Sequence, residues 1–563
     1  MLHTRRADAT HCPAAVVMAE PVARFRTVTG EPSTHAATRA RSRSRTWLRR
    51  FTPEHLLVLV LSLGVLVVHN VGYMLSQPFW NDEAWVAVTT RFPLSQLLET
   101  TSSTPIGWSF LVRVFTFGAS ESSRIVPLAF AGLAVAAAYW LARGLGWQGR
   151  ADQVVAGVLA GLAVLLVPAM LLRDDLKQYT ADAFVALLIL VLTSRLERTW
   201  SRRALAALSV AVWGGMLISD VAAFTGVAAI GALFVVQVVR RAWGRVTEVV
   251  VAGAATAVLM LGVYEAFDAR AADALGASTF WDGYYVPLSH GVHASWAFIT
   301  MMFGRLHADF GLGPAWLALP LVIIGLVTMF RLGRPATALA AIVLLPEMIV
   351  LSALKVYPFG DLRTSTWLIA VTVAVAAIGV AGISALARQW LRGSALAWAA
   401  ALTVAAAAVA GFSVAAAPCV RGHPIPNEDV RDQADYVAKH AAADDVILVN
   451  LNSNWGFAYY WPYGQPARRL TTVVRQGYEA YFPDQPRIVV APNRNLAGVT
   501  TALREALGRV RPGSCERIWL VRSHVIPSEA AAWKEALAAA HLTPVTVGSH
   551  GLSVLEPGGR SCG

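Results

Sequence analysis

Long apolar stretches, each near the length of a membrane-crossing helix, recur along this chain with arginines in every second gap. A helix needs about 20 apolar residues to cross a bilayer. Stretches of that kind lie near 55–75, 124–142, 152–172, 181–196, 203–219, 222–239, 247–265, 313–330, 336–354, 365–386 and 395–416. The alternate gaps carry Arg143 and Arg150; Arg195, Arg198, Arg202 and Arg203; Arg240, Arg241 and Arg245; Arg331 and Arg334; and Arg388 and Arg392. That rhythm satisfies the positive-inside rule when the amino-terminal end is cytoplasmic. Backbone groups in lipid must bond to one another, which favours helices here. The expected fold class is an α-helical polytopic membrane protein of eleven spans covering 55–417, with everything after 417 on the outer side.

Composition agrees. Only 15% of the 563 residues are charged and 56% are hydrophobic, where soluble domains carry about a quarter charged residues. The net charge of +12 does not point to nucleic acid, because the basic residues are dispersed in short clusters. No P-loop, His-Glu-x-x-His, paired Cys-x-x-Cys or Asp-x-Asp is present, so nucleotide-driven transport and a structural zinc site lack a signature. Residues 1–54 hold ten arginines and no early apolar core. They read as a disordered basic cytoplasmic arm, not a cleavable signal peptide. Of Cys12, Cys419, Cys515 and Cys562, the pair Cys515–Cys562 is the preferred disulfide if that region is extracytoplasmic, with unpaired thiols the alternative.

The same parity places four segments outside: 76–123, 173–180, 266–312 and 355–364. Each mixes aromatics with charges, unlike the arginine-only inner loops. Residues 104–118 are apolar but short, and counting them as a span would put every later arginine cluster outside, so they are expected to lie flat at the outer interface. Beyond 418, strands at 446–450, 487–491, 517–522 and 544–547 alternate with helices at 428–441, 496–509 and 528–540. That alternation predicts an extracytoplasmic α/β domain over 418–563.

The outer segments concentrate the chemistry. In Gln77-Pro78-Phe79-Trp80-Asn81-Asp82-Glu83-Ala84-Trp85, two carboxylates follow the first span. Asn81 or Asp82 suits a helix N-cap, and a carboxylate at a membrane surface also suits a general base toward an alcohol. One base suffices when the leaving group is a phosphate, which needs cations instead. Arg173, Lys177, Lys355 and Arg363 are the outer cations available, although interfacial snorkelling accounts equally well for Arg173 and Lys177. Arg363 lies in Lys355-Val356-Tyr357-Pro358-Phe359-Gly360-Asp361-Leu362-Arg363, a turn flanked by cations. His290 and His293 read mainly as surface residues, with metal or substrate contact the lesser reading. The aromatics of 280–285 read as an interfacial belt or as sugar-stacking faces. Asp220, Glu265 and Glu347 lie in or near spans, where they are expected to face the bundle.

These residues together resemble the GT-C superfamily of polytopic glycosyltransferases, in its protein O-mannosyltransferase and lipid A aminoarabinose transferase branch. The likeness covers about 55–390. Trp80-Asn81-Asp82-Glu83 matches the acidic pair of the first outer loop; Thr104-Pro105-Ile106-Gly107, Phe117-Gly118 and Ser123-Arg124 match the stretch after it. Arg173 through Asp182 resembles the next outer-end motif, and Tyr357-Pro358-Phe359-Gly360 with Arg363 a late-loop signature. The lysine that precedes paired prolines in the aminoarabinose branch has no counterpart at Ser103-Thr104-Pro105.

The resemblance implies transfer of a sugar from a polyprenyl-phosphate donor to a glycan, lipid or protein acceptor, with Asp82 as base and Glu83 orienting it or a neighbouring cation. Arg173, Lys177, Tyr179, Tyr357 and Arg363 would hold the donor phosphate, with Arg124, Asp182, His290 and Lys355 as further candidates. No cofactor is required by this reading, though a divalent cation is compatible with it. A transporter or lipid flippase and a non-catalytic scaffold with an outer binding domain are the competing classes. Convergence of Asp82, Arg173 and Arg363 in one outer cavity favours the enzyme.

Overall fold

The computed structural model describes residues 52–90, 104–116, 120–171, 176–269, 281–310, 315–391, 394–422, 430–461 and 485–555, together with Leu94, Leu97, Ala480 and Phe482. Arg173, Cys12 and Cys562 lie outside these. Two compact units divide the chain, residues 1–56 and 57–563.

Among the described residues, seven helices are long and apolar enough to cross a membrane: Glu121–Arg143, Tyr179–Arg198, Val221–Val239, Trp243–Phe267, Pro335–Ala353, Arg363–Trp390 and Ala395–Ala416. The chain is a polytopic helical membrane protein. The other four expected spans are helical but shorter or interrupted. The first breaks at Gly64 and again near Asn70. The third stops at Leu165 and resumes at Pro168. The fifth ends at Met216, and the eighth runs Ala315–Arg331. Apolar runs identify buried helix without fixing its unbroken length.

Helix α1 (Asn81–Thr89) follows the first apolar segment and is buried along most of its length. Its N-cap is Trp80, one residue earlier than Asn81, because Glu83 reaches back to the Trp80 amide at 3.3 Å. The segment expected to lie flat forms the nine-residue helix Ile106–Val114, too short to span. It packs tightly on the bundle: Trp108 donates from its amide to Leu217 O at 3.0 Å and from Nε1 to Leu176 O at 2.9 Å. Helices α2 (Tyr179–Arg198) and α3 (Leu362–Trp390) run through the bundle core and pack on each other. At the far end of α2, Glu197 accepts the Ala336 and Thr337 amides at 2.7 and 2.9 Å, satisfying the first turn of Pro335–Ala353.

After the last span, a five-stranded sheet forms in the order β2-β1-β3-β5-β4. β1 (Val446–Val449) pairs in parallel with β2 (Ile488–Val490) and β3 (Ile518–Val521). β5 (Leu552–Leu555) pairs antiparallel with β3 and with β4 (Pro544–Thr546). The four expected strands are present. β5 was not expected, because its four residues follow Gly551 directly in a tight hairpin, and Gly548 and Gly551 adopt the positive φ that the turn requires. Helix α4 (Asn454–Tyr460), also unexpected, is seven residues of mostly aromatic and small side chains with all but the last buried.

The α/β domain shares a hydrophobic core with the helical body. Phe79, Trp85, Trp108 and Leu176 belong to the same buried cluster as Trp455, Phe457 and Trp519.

Candidate active site

The first turn of α1 carries both carboxylates, in the positive field of a helix N-terminus, yet their environments diverge. Glu83 is 2% exposed. Arg124 grips it with Nε on Oε1 at 2.8 Å and Nη2 on Oε2, and the Leu176 amide donates to Oε1 at 3.0 Å. Arg124 also donates to the carbonyls of Met74, Gln77 and Pro78 and lies 4.7 Å from the Phe79 ring centroid. Both groups are thus committed to holding the chain entry to α1, and Arg124 is not disposed to grip a ligand. The cation beside Glu83 is thus a structural one.

Asp82 stays partly exposed at 27% of its side chain and accepts from Arg363 Nη1 at 2.9 Å. Arg363 stands in the first turn of α3, whose N-cap Asp361 accepts the Thr364 amide at 3.4 Å and approaches Arg363 Nε at the same distance. The Arg363 guanidinium lies 5.7 Å from the Trp281 ring centroid. The turn before it is fixed by Phe359, whose amide donates to Tyr284 O at 2.9 Å. Gly360 has φ 85°, and a Cβ there would meet Met302 at 2.6 Å. Sequence positions 82 and 363 therefore meet in one place.

Lys177 is buried, with Nζ 5.2 Å from the Trp85 ring centroid. Tyr179 and Asp182 are buried beside it at the start of α2. Gln178 donates to Asp220 Oδ2 at 2.7 Å, and Lys177 acts electrostatically on Asp220. Asp182 lies beside Asp220, at the N-cap of the next span. Tyr357 closes this group. Its hydroxyl donates to Thr364 O at 3.1 Å, and burial, reinforced by the charges of Asp182 and Asp220, pushes the phenol well above its ordinary value. Tyr357 is thus a neutral hydrogen-bond donor at any physiological pH.

Other candidates lie apart. Lys355, His290 and His293 are exposed. Among the described residues no group of three His, Cys, Asp or Glu side chains comes together. Glu265 is exposed at the C-terminal end of its helix instead of facing the bundle, where the helix unwinds into a π-turn. Glu347 is half-buried. Arg173 falls outside the described residues.

No family model matches the sequence, and comparison with curated proteins gives no significant match. The structure does resemble solved ones. ArnT from Cupriavidus metallidurans bound to undecaprenyl phosphate is 15% identical, with 90% of this chain and 98% of that one covered at a TM-score of 0.50. The oligosaccharyltransferase AglB from Archaeoglobus fulgidus, in complex with an inhibitory peptide and a dolichol-phosphate, is 12% identical, with 90% and 74% covered at 0.52. The chain has the GT-C fold.

The α/β domain contributes contacts that no motif announced. Trp455 stacks on Trp85 with centroids 5.3 Å apart and an interplanar angle of 3°. The Tyr460 hydroxyl accepts the Phe79 amide at 2.7 Å and meets Glu121 at 3.1 Å, and Arg431 pairs with Glu121 at 3.1 Å. His524, in left-handed backbone at φ 48°, lies 6.0 Å from Trp80. Asn450, Asn452 and Ser453 hold the His524 loop from beneath, and Glu529 anchors the two asparagines. Asn and Ser near a strand end are too common for the sequence to flag them.

Proposed function

We propose that this protein transfers a sugar from a polyprenyl-phosphate donor to a hydroxyl-bearing acceptor on the outer face of the membrane. The observation that carries the reading is the meeting of Asp82 and Arg363 at 2.9 Å, across 281 positions of chain. A scaffold has no need to bring an acid and a guanidinium from two distant outer loops to one partly open spot. That Lys177 and Tyr357 lie on the two segments adjoining this pair supports the same view. The ligands named for the two solved GT-C structures are lipid phosphates, which is the chemistry a cationic outer site suits.

In the reaction Asp82 takes the acceptor hydroxyl proton as its oxygen forms a bond to the anomeric carbon. The bond from that carbon to the phosphate oxygen breaks, and the electron pair leaves with the polyprenyl phosphate. Attack opposite the leaving group inverts the anomeric centre. Arg363, Lys177 and the Tyr357 hydroxyl neutralise and orient the departing phosphate, with Arg173 assigned the same role by sequence. Glu83 and Arg124 keep Asp82 in register. The β3 loop bearing His524 stands beside Trp80, two residues from the base, and is assigned to acceptor selection.

The active face is assigned to the outside of the plasma membrane, with the amino-terminal arm cytoplasmic. Cys515 is disulfide-bonded, in keeping with an oxidising compartment, while Cys419 keeps its thiol. The deciding experiment is Asp82→Asn in a deletion strain. The variant inserts normally but fails to restore the envelope glycans, lipids or glycoproteins that the deletion alters. Restoration at the parental level would remove Asp82 from the chemistry.

A further inference from the structure

Lys177, Trp85 and Trp455 form a chain of contacts that crosses from the helical body into the α/β domain. Trp455 lies flat on Trp85, 3° from parallel, and the two are 1% and 4% exposed. The Lys177 ammonium sits 5.2 Å from the centroid of that same Trp85 ring and is only 6% exposed. An ammonium removed from water keeps a fixed position only where other groups replace its hydration. An aromatic face is one such group, provided that the ring cannot swing away.

What stops Trp85 from swinging is the partner domain. The Trp455 amide donates to Asn81 Oδ1 at 3.4 Å, so α4 is pinned to the first turn of the helix that carries Trp85. At its other end Tyr460 takes the Phe79 amide at 2.7 Å. Trp85 itself lies one turn beyond Asp82, and Glu83 holds the Leu176 amide next to Lys177. The docking surface of the domain and the seat of the lysine are therefore one packed unit.

We infer that the carboxy-terminal domain completes the donor-phosphate site, with Trp455 acting as a positioning residue through Trp85 on Lys177. This rests on the reading of Lys177 as a phosphate-holding group. The domain is then part of donor binding as well as a selector of acceptors. Removing the Trp455 ring opens space behind Trp85, lets that ring tilt, and loosens the lysine without touching any phosphate contact directly.

The test uses the full-length protein in nanodiscs, with undecaprenyl phosphate as probe and its dissociation constant read by calorimetry. Trp455→Ala weakens binding about tenfold, and Trp455→Phe, which keeps a flat ring against Trp85, stays within about twofold of wild type. Trp533→Ala is the control: Trp533 is buried in the other core of the same domain, so its loss lowers thermal stability but leaves binding unchanged. Lys177→Met weakens binding at least as much as Trp455→Ala. Wild-type affinity in Trp455→Ala, with Lys177→Met impaired, overturns the inference and leaves the donor reading standing. Equal weakening by Trp533→Ala also overturns it, by reducing the effect to general loosening. Wild-type affinity in Lys177→Met removes the lysine from the site, and the role of Trp455 with it.

Discussion

Arg363 donates to Asp82 at 2.9 Å, which makes the base proposed above a neighbour of the arginine proposed to hold the phosphate. In the proposed reaction the same guanidinium stays beside the carboxylate while it holds the departing phosphate. Arg363→Lys keeps the charge but loses the planar fork. The expected result is a donor KM raised about tenfold with a smaller change in kcat, measured by varying the lipid-linked donor at saturating acceptor.

Glu83 and Arg124 are predicted to act through stability. They form a buried pair with side chains 2% and 6% exposed, and breaking such a pair costs about 3–5 kcal/mol. Glu83→Gln should lower the melting temperature sharply. The double variant Glu83→Gln, Arg124→Met should recover part of that loss, because no charge is then left buried alone. Thermal unfolding of wild type and the two variants in detergent checks this.

His524→Ala should raise the acceptor KM on the order of threefold to tenfold, while the dissociation constant of undecaprenyl phosphate stays unchanged. The loop is held by Asn452, Ser453 and Asn450, so the substitution removes the imidazole without releasing the backbone. An unchanged acceptor KM would separate the domain's β3 loop from acceptor selection.

Glu529 supplies a pH signature. Burial raises its carboxyl above the ordinary value, so the folded state holds this proton more tightly than the unfolded state does. The stabilisation it contributes is complete below about pH 4.3, the ordinary value, and is lost as pH rises through the higher folded value. Glu529→Gln cannot titrate. The melting temperature of wild type should therefore fall relative to that of this variant as pH rises above the ordinary carboxyl value.

Orientation is tested by thiol labelling. A cysteine replacing Arg150 should resist an impermeant reagent in intact cells, and one replacing Lys534, exposed on the helix Pro527–Ala539, should react. Reversed labelling overturns the arginine parity.

Much of this was legible because apolar length and charge parity are local properties. The helical bundle and four strands of the carboxy-terminal domain could be anticipated. The division of labour between Asp82 and Glu83 could not. Adjacent carboxylates look alike in sequence, and their fates differ because Arg124 is delivered to one of them by a turn 41 positions away. The same holds for Trp85 and Trp455: nothing in either neighbourhood predicts a flat stack between residues that far apart. The breaks within the first and third spans were also hidden, since Gly64 and Pro168 lie within otherwise continuous apolar runs.

Docking of α4 on α1 has a consequence for biogenesis. The Phe79 amide finds its acceptor in Tyr460, 381 residues later, so this flank of α1 is covered only once the chain beyond the final span has folded. A nascent or truncated chain leaves the aromatic flank of α1 uncovered. Assembly of this contact is thereby tied to completion of synthesis.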